Sequence, residues 1–216
     1  MRTPVVRLKN QKGFTLPELM VSAALSLAVL AAIYGLFRAQ THTIKGQQGR
    51  MEAHEYAMSV LDIMVREIRN TGYFPSGSAC STPTNSAGIV TATAQSFQLV
   101  YDSNGDGACE ENVWFAYDAT NKNILRKGEP LTDGNVTAVQ FIYYPQQTSA
   151  TSPAPYCFSA GNPAGCSGDL ASNLSRVQKV TISLTVQSKN SDVQFGGQST
   201  ITMSSSADLR NHNLPT

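Results

Sequence analysis

The side chains best suited to chemistry in this 216-residue chain lie in a short polar segment that begins at Asp102. Asp102, Asn104 and Asp106 occupy alternate positions, and Gly107 follows at the sixth, as at the start of an EF-hand calcium loop. Alternation aims the three oxygen ligands at one point, and the glycine permits the sharp turn that such a loop requires. A calcium ion is therefore one candidate ligand of this segment.

The second half of the calcium loop is incomplete. The carbonyl of Ala108 and the carboxylate of Glu110 could continue the coordination shell, but Val113 stands at the twelfth position, where a bidentate Glu is expected. Any site would therefore be weak, or would borrow Glu111 or a distant ligand. An Asn-Gly and Asp-Gly turn between two strands explains the same residues without a metal. The turn is the favoured interpretation, and calcium is the one cofactor that stays open.

No catalytic arrangement stands out elsewhere in the sequence. The motifs of serine hydrolases, zinc proteases, phosphate-binding loops and dinucleotide-binding folds are absent. The three histidines lie far from the cysteines, so zinc-site spacing is absent as well. A formal net charge of +1 gives no strong field for nucleic acid. We therefore expect a protein that is not an enzyme and does not bind nucleic acid directly.

Four cysteines, Cys80, Cys109, Cys157 and Cys166, form no CxxC pair. An even number in an exported chain favours two disulfides, for which three pairings exist. We prefer Cys157–Cys166, which closes a short loop rich in Pro and Gly, together with Cys80–Cys109. Four unpaired thiols are the alternative, and they would require a reducing compartment.

The N-terminal region contains a membrane-length apolar segment. Residues 19–37 carry no charge, and a helix of that length spans roughly the 30 Å hydrocarbon core of a bilayer. Residues 1–13 contain four basic side chains and no acidic one, which by the positive-inside rule keeps the N-terminus in the cytoplasm. We expect a single pass through the inner membrane, with the remainder of the chain on the far side.

A cleaved secretory signal, a permanent anchor and a prepilin-type signal would all contain such a segment, and Glu18 helps to distinguish them. A carboxylate at the edge of the apolar phase costs about 2.5 kcal/mol or more on insertion scales, and a simple anchor has no use for it. An assembled bundle of helices does have a use, because the acid can meet an amine at the N-terminus of a neighbouring subunit.

Residues 12–18, KGFTLPE, followed by the apolar segment, resemble the processing site of type IV prepilins. The resemblance implies cleavage between Gly13 and Phe14 by prepilin peptidase, N-methylation of Phe14, and a role for Glu18 in subunit docking. The sequence departs from many major pilins at Pro17, which proline can occupy in the first turn of a helix. It departs again at Gly35, where a helix-breaking proline is common in the family.

Beyond the membrane segment, an amphipathic stripe continues the helix through residues 38–71, and Asn70-Thr71-Gly72 provides a stop signal. A period of two then indicates strands of a mostly antiparallel sheet, and residues 72–88 and 145–176 are expected to be long loops. The expected strands are Ser96–Asp102, Asn112–Asp118, Val136–Tyr144, Val177–Val186 and Thr200–Met203.

The order of motifs in the head, from residues 101–107 to residues 207–211, is similar to that of PilW-type minor pilins, which are related to the J-type minor pseudopilins of type II secretion. The resemblance implies the α+β type IV pilin fold: a leader peptide over residues 1–13, a transmembrane and filament-core helix over 14–37, its amphipathic continuation over 38–71, and a β-rich periplasmic or extracellular head over 72–216.

The same resemblance implies a minor subunit that primes pilus assembly, with other minor pilins, the major pilin and prepilin peptidase as partners. The subunit would leave the inner membrane for the pilus, the periplasm or the cell surface. Two alternatives stay open: a minor pseudopilin of a type II secretion system, and a membrane-anchored, calcium-dependent adhesion or binding module.

Overall fold

The computed structural model describes residues 13–74, 88–104, 111–146, 152–158, 161–188 and 197–209. The chain divides into two compact units, Met1–Lys45 and Gly46–Thr216. The described residues form one long α-helix, α1 (Leu16–Asn70), and two antiparallel sheets. The predicted α+β class is confirmed, and the arrangement is consistent with the type IV pilin fold.

The α1 segment in the second unit packs one face against the sheets. Its buried positions recur at intervals of three and four residues, as the amphipathic stripe predicts. They are Gly49, Ala53, Ala57, Val60, Leu61, Met64, Val65 and Ile68.

The helix stops where the sequence predicts. Thr71 donates a backbone hydrogen bond to the carbonyl of Ile68 (3.1 Å), and Gly72 adopts a left-handed φ of 73° that ends the helix. The N–H of Gly72 then donates to the carbonyl of Val100 (3.0 Å), while Val100 donates to the carbonyl of Gly88 (2.8 Å). A side chain on Gly88 would collide with the backbone of Gly72, so glycine is required for this close approach.

The first sheet has five strands in sequential order, β1-β2-β3-β4-β5, all antiparallel. Its strands are β1 (Ile89–Ala92), β2 (Ser96–Tyr101), β3 (Glu111–Asp118), β4 (Asn123–Arg126) and β5 (Glu129–Pro130). Phe97 and Leu99 in β2 and Val113 and Phe115 in β3 are fully buried, and this alternation places one face of the sheet in the core.

The second sheet has three strands in the order β6-β7-β8, again antiparallel. They are β6 (Val136–Pro145), β7 (Val177–Gln187) and β8 (Thr200–Asp208). β7 lies in the middle, and its alternate side chains, from Val180 to Val186, are fully buried.

Tyr143 of β6 joins the two sheets. Its hydroxyl donates to the carbonyls of Thr93 (3.0 Å) and Ser96 (3.2 Å) in the β1–β2 turn, and its ring lies 5.5 Å from that of Phe97. The backbone N–H of Phe141 also donates to the carbonyl of Ala94 (2.8 Å). Complete burial raises the pKa of Tyr143 well above its usual range, so the hydroxyl stays a hydrogen-bond donor.

Several expectations from the sequence are corrected. The strands divide between two sheets rather than one, and β8 continues five residues beyond the predicted end at Met203, to Asp208. The segment 145–176 is not a single irregular loop, because Ala171–Arg176 forms a short 3-10 helix and Cys157 bridges to Asp169. β1, β4 and β5 were not among the predicted strands, and they are only four, four and two residues long.

Candidate functional site: the N-terminal segment and the loops of the head

The expected cleavage site lies just ahead of α1. Gly13 and Phe14 precede the first helical residue, Leu16. Phe14 is 90% exposed, and the space around the Cα of Gly13 is open. In the described residues nothing obstructs approach to the peptide bond between them. The leader, residues 1–12, lies outside the described part of the chain.

Glu18 caps the helix on which it lies. Its carboxylate accepts a hydrogen bond from the backbone N–H of Thr15 (3.1 Å) and another from the Thr15 hydroxyl (3.0 Å). Thr15 stands at the N-cap and Glu18 at the third helical position, the spacing of a capping box. The T-x-x-E pattern of residues 15–18 is the sequence signal for this cap. The predicted role of Glu18 in docking stays a prediction.

The first unit exposes a continuous apolar surface. In the described residues 16–40 every side chain is exposed, and one 18-residue window has a mean hydropathy of 2.2. By length and composition α1 is able to cross a membrane. Apolar area left in water costs about 25 cal/mol per Å², so this surface requires lipid or other helices around it.

Three hydroxyl side chains in or next to this surface bond to their own helix. The Ser22 hydroxyl donates to the carbonyl of Leu19 (3.0 Å), and the Ser26 hydroxyl donates to the carbonyl of Ser22 (2.8 Å). Thr41 bonds the carbonyl of Phe37 in the same way (2.9 Å). Hydroxyls paired with the preceding turn can enter an apolar phase at little cost.

The structure joins Cys157 to Cys166, the pairing preferred from the sequence, with Cα atoms 5.1 Å apart. Backbone hydrogen bonds hold the same two segments together. The N–H of Cys157 donates to the carbonyl of Gly168 (2.8 Å), and the carbonyl of Cys157 accepts from the N–H of Leu170 (3.0 Å). Tyr156 donates to the carbonyl of Tyr143 (2.8 Å), which attaches the loop to β6. A structural disulfide is typical of an oxidising compartment. The predicted pair Cys80–Cys109 lies outside the described residues.

The possible calcium ligands are described only in part. Asp102 is 1% exposed, and its backbone N–H donates to the carbonyl of Tyr73 (2.8 Å), which holds the end of β2 beside the end of α1. Asn104 is exposed. The remaining three predicted ligands, Asp106, Ala108 and Glu110, lie outside the described residues, so the calcium interpretation stays a prediction.

A groove with a volume of about 470 Å³ lies on the head between the β1–β2 turn and the disulfide loop. Thr93, Gln95 and Asp169 are among its lining residues. The Asp169 carboxylate already accepts hydrogen bonds from the backbone N–H and hydroxyl of Ser172 (3.1 and 3.0 Å) at the start of the 3-10 helix. Asp169 therefore has a structural role at this position.

Comparison with known families agrees with both halves of this description. The model described as "Prokaryotic N-terminal methylation motif" matches residues 8–34, and the model described as "Prepilin peptidase-dependent protein B" matches residues 46–207. No curated protein and no solved structure matches the chain.

A prepilin-type N-terminus, an exposed apolar helix and a β-rich head define the class as pilin-like. Since the second match covers more than half of the sequence, the chain belongs to the prepilin peptidase-dependent protein B family. Membership implies processing by prepilin peptidase, membrane anchoring through the apolar helix, and pilus assembly.

Proposed function

We propose that the chain is a PilW-like minor subunit of a type IV pilus that takes part in priming filament assembly and is not an enzyme. The observation that supports this most directly is a methylation motif at residues 8–34 that overlaps the start of α1, where every residue from 16 to 40 is exposed. Such a helix is stable first in the inner membrane and then among the helices of other subunits.

The proposed sequence of events follows from these features. The basic leader holds the N-terminus in the cytoplasm while the head is moved across the inner membrane. Prepilin peptidase cuts between Gly13 and Phe14, and Phe14 is N-methylated. The mature helix then leaves the membrane for the filament, where Glu18 pairs with the methylated amine of its own Phe14 or that of a neighbour.

The pairing is physically reasonable because a carboxylate in an apolar bundle needs a compensating positive charge. The Thr15 hydroxyl and N–H satisfy one oxygen of Glu18 in the described structure. A carboxylate accepts more than two hydrogen bonds, so an amine can be added without displacing Thr15.

The first experiment determines the mature N-terminus by mass spectrometry in cells with and without prepilin peptidase. We expect a chain that begins at N-methylated Phe14 only when the peptidase is present. Replacing Gly13 with Val should block the cut, whereas Thr15→Ser should not. A start after the apolar segment, or an intact Met1 in cells with the peptidase, would remove the central claim.

The minor role needs a separate measurement, because cleavage is common to all prepilins. Quantitative mass spectrometry of sheared pili should find this chain far below the major subunit, and deletion of its gene should reduce the number of pili. Equal amounts of the two subunits would contradict a minor role. Loss of protein secretion with normal pili would favour the pseudopilin instead.

A further inference from the structure

The outer edge of β8 is a long row of backbone hydrogen-bonding groups that face away from β7. Leu209 donates to Gln178 (2.7 Å) and Ser188 donates to Ser199 (2.8 Å), so these two pairs bound the ladder. In an antiparallel pair, hydrogen-bonded positions alternate with positions whose groups point outward. The register then directs outward the N–H and C=O groups of Thr200, Thr202, Ser204, Ser206 and Asp208.

A side-chain contact supports this register. The hydroxyls of Thr185 and Thr202 lie 3.0 Å apart across β7 and β8. Side chains approach most closely at positions where the two backbones do not exchange hydrogen bonds. The N–H and C=O of Thr202 are therefore directed to the free edge, where no described residue is paired with them as a strand.

The other sheet edges in the described residues are short or covered. β6 is bonded along its outer edge, by Phe141 to Ala94 and by Tyr156 to Tyr143. β5 has two residues, one of which is a proline, and β1 has four with a break in register. Short strands, prolines and irregular register are the usual protection against unwanted pairing.

β8 has none of these protections. It is nine residues long, keeps regular register with β7, and contains no proline, lysine or arginine. Four of its five exposed side chains, those of Thr200, Thr202, Ser204 and Ser206, are small hydroxyl groups that allow another backbone to approach closely, and the fifth, Asp208, lies at the end of the strand. A regular edge of this length is a template for one further strand.

A groove of about 380 Å³ runs beside this edge on the helix side, and Ile201 is its lining residue from the described part of the sheet. The helix contributes Met51, which is 61% exposed, together with Arg50, His54 and Glu55. Side chains of an added strand would point alternately into this groove and away from it. The groove suits an apolar side chain beside Met51 and Ile201. Its rim carries charged groups of both signs, Arg50 and Glu55.

We propose that β8 is a docking edge on which an extended segment of a neighbouring pilin-like subunit adds as a fourth strand of the second sheet. Its side chains alternate between apolar ones in the groove and polar ones on the open face. The inference rests on the proposed function. Subunits of a filament that grows from one end are related by a screw operation, so β8 meets a different segment of its neighbour rather than another β8.

The test uses the full chain in cells that assemble their own pili, with a benzophenone amino acid at Thr202. An added strand lies about 4.8 Å beyond β8, within reach of this probe. The matched control is a probe at Thr137, an exposed residue of β6, which is the opposite edge strand of the same sheet. A third probe at Leu30, on the apolar helix, reports the proposed function independently of β8.

We expect the Thr202 probe to form an adduct with a different subunit that carries a prepilin motif, and the Thr137 probe to form none. Ser204→Pro removes one outward N–H but no bond to β7, and Ser204→Thr keeps that N–H. The proline variant should lower the Thr202 adduct about tenfold, the effect of losing a hydrogen bond and adding an obstructing ring. Ser204→Thr should leave it unchanged.

The outcomes separate the two claims. Adducts from Leu30 without any from Thr202 would overturn the docking edge and leave the proposed function standing. An absence of subunit adducts from Leu30 would count against the proposed function itself. A Thr202 adduct with a second copy of this chain would overturn the claim that β8 binds a different subunit. The Thr202 result comes from an unaltered backbone, so it decides the question even if Ser204→Pro fails to fold.

Discussion

Glu67 of α1 and Arg126 of β4 form the ion pair that joins the helix to the first sheet, with Arg126 Nε 2.8 Å from Glu67 Oε1. The Glu67 side chain is only 13% exposed, and its other oxygen, Oε2, is buried without a hydrogen-bond partner in the described residues. The Glu67 carboxylate therefore depends on Arg126 for compensation.

Arg126→Met should lower the free energy of unfolding of the full chain in detergent by about 2 kcal/mol, because it leaves a nearly buried carboxylate unpaired. The double variant Glu67→Met/Arg126→Met should recover most of that loss. Urea titration followed by circular dichroism measures both. If the double variant is no more stable than the single one, Arg126 acts mainly through packing.

The exposed pair Arg66–Asp62 provides the matched control on the same helix. Its nitrogen–oxygen distance is 2.7 Å, but the two side chains are 75% and 67% exposed. Exposed pairs contribute about 0–1 kcal/mol, so Arg66→Met should change the free energy of unfolding by no more than about 0.5 kcal/mol. A larger loss of stability would show that burial does not explain the difference expected between the Arg66–Asp62 and Glu67–Arg126 pairs.

Tyr143 should make the stability of the head sensitive to alkali. Its folded-state pKa is raised by burial, so the stability that it contributes is present below the unfolded pKa of about 10 and falls as the pH rises above that value. Tyr143→Phe should cost about 1–2 kcal/mol at neutral pH, because the hydrogen bonds from its hydroxyl to the carbonyls of Thr93 and Ser96 are lost. Above pH 10 the difference should shrink and then reverse. Tyr144→Phe is the control, and an equal alkaline response there would refute the assignment to Tyr143.

The disulfide Cys157–Cys166 should contribute a measurable share of the stability. It closes a loop with a sequence separation of nine residues. Loop-closure entropy predicts that replacing both cysteines with serine lowers the free energy of unfolding by about 2.5 kcal/mol. Unfolding of the wild-type head with and without reductant, beside the double serine variant, provides the measurement. A reductant-dependent loss that persists in the double variant would have to come from another source.

The sequence predicts the elements of this fold where apolar spacing is regular. The stripe from Tyr56 to Ile68 and the alternation from Val180 to Val186 indicate a helix face and a buried strand, and the structure has both. The second half of β8 was missed because Ser204–Asp208 carries almost no apolar residue, so no alternation marks it. It is a strand because its backbone pairs with β7, an interaction between distant segments.

The candidate site likewise has features that local sequence predicts and features that it does not predict. Motifs confined to a few neighbouring residues, such as the segment around Phe14, can be recognised from sequence alone, and a matching family model supports that one. The Glu67–Arg126 pair joins residues 59 positions apart, and the β8 edge exists only because β6 and β7 occupy the other positions of the sheet. Relationships of this kind follow from topology, which local spacing does not encode.

We propose that the segment beginning at Asp102 is a polar turn that binds calcium weakly at most, since Val113 replaces the bidentate Glu. Extracellular calcium modules bind at about 10⁻⁴–10⁻³ M, so micromolar calcium should leave the melting temperature unchanged. An increase at ten millimolar that Asp106→Asn abolishes and Glu129→Gln preserves would establish a weak site. An increase at micromolar calcium would show that another ligand replaces the missing Glu.

Glu18 has two possible roles that one pair of variants separates. In the structure its carboxylate accepts the backbone N–H of Thr15, as the acid of a capping box does, and glutamine can also fill this role because it keeps an acceptor at the third helical position. Pairing with the methylated amine of Phe14 requires a negative charge, which glutamine lacks. Glu18→Gln and Glu18→Ala should therefore be equally deficient in entering filaments if charge pairing is the essential role.

The measurement compares the chain in sheared pili with the chain left in the membrane, and mass spectrometry of the N-terminus confirms that both variants are still cut at Phe14. Thr15→Val is the control, because it removes the capping hydroxyl but keeps the charge of Glu18. We expect this variant to assemble, with a helix end weakened by about 1 kcal/mol. Normal assembly of Glu18→Gln together with failure of Thr15→Val would instead assign the essential role to the cap.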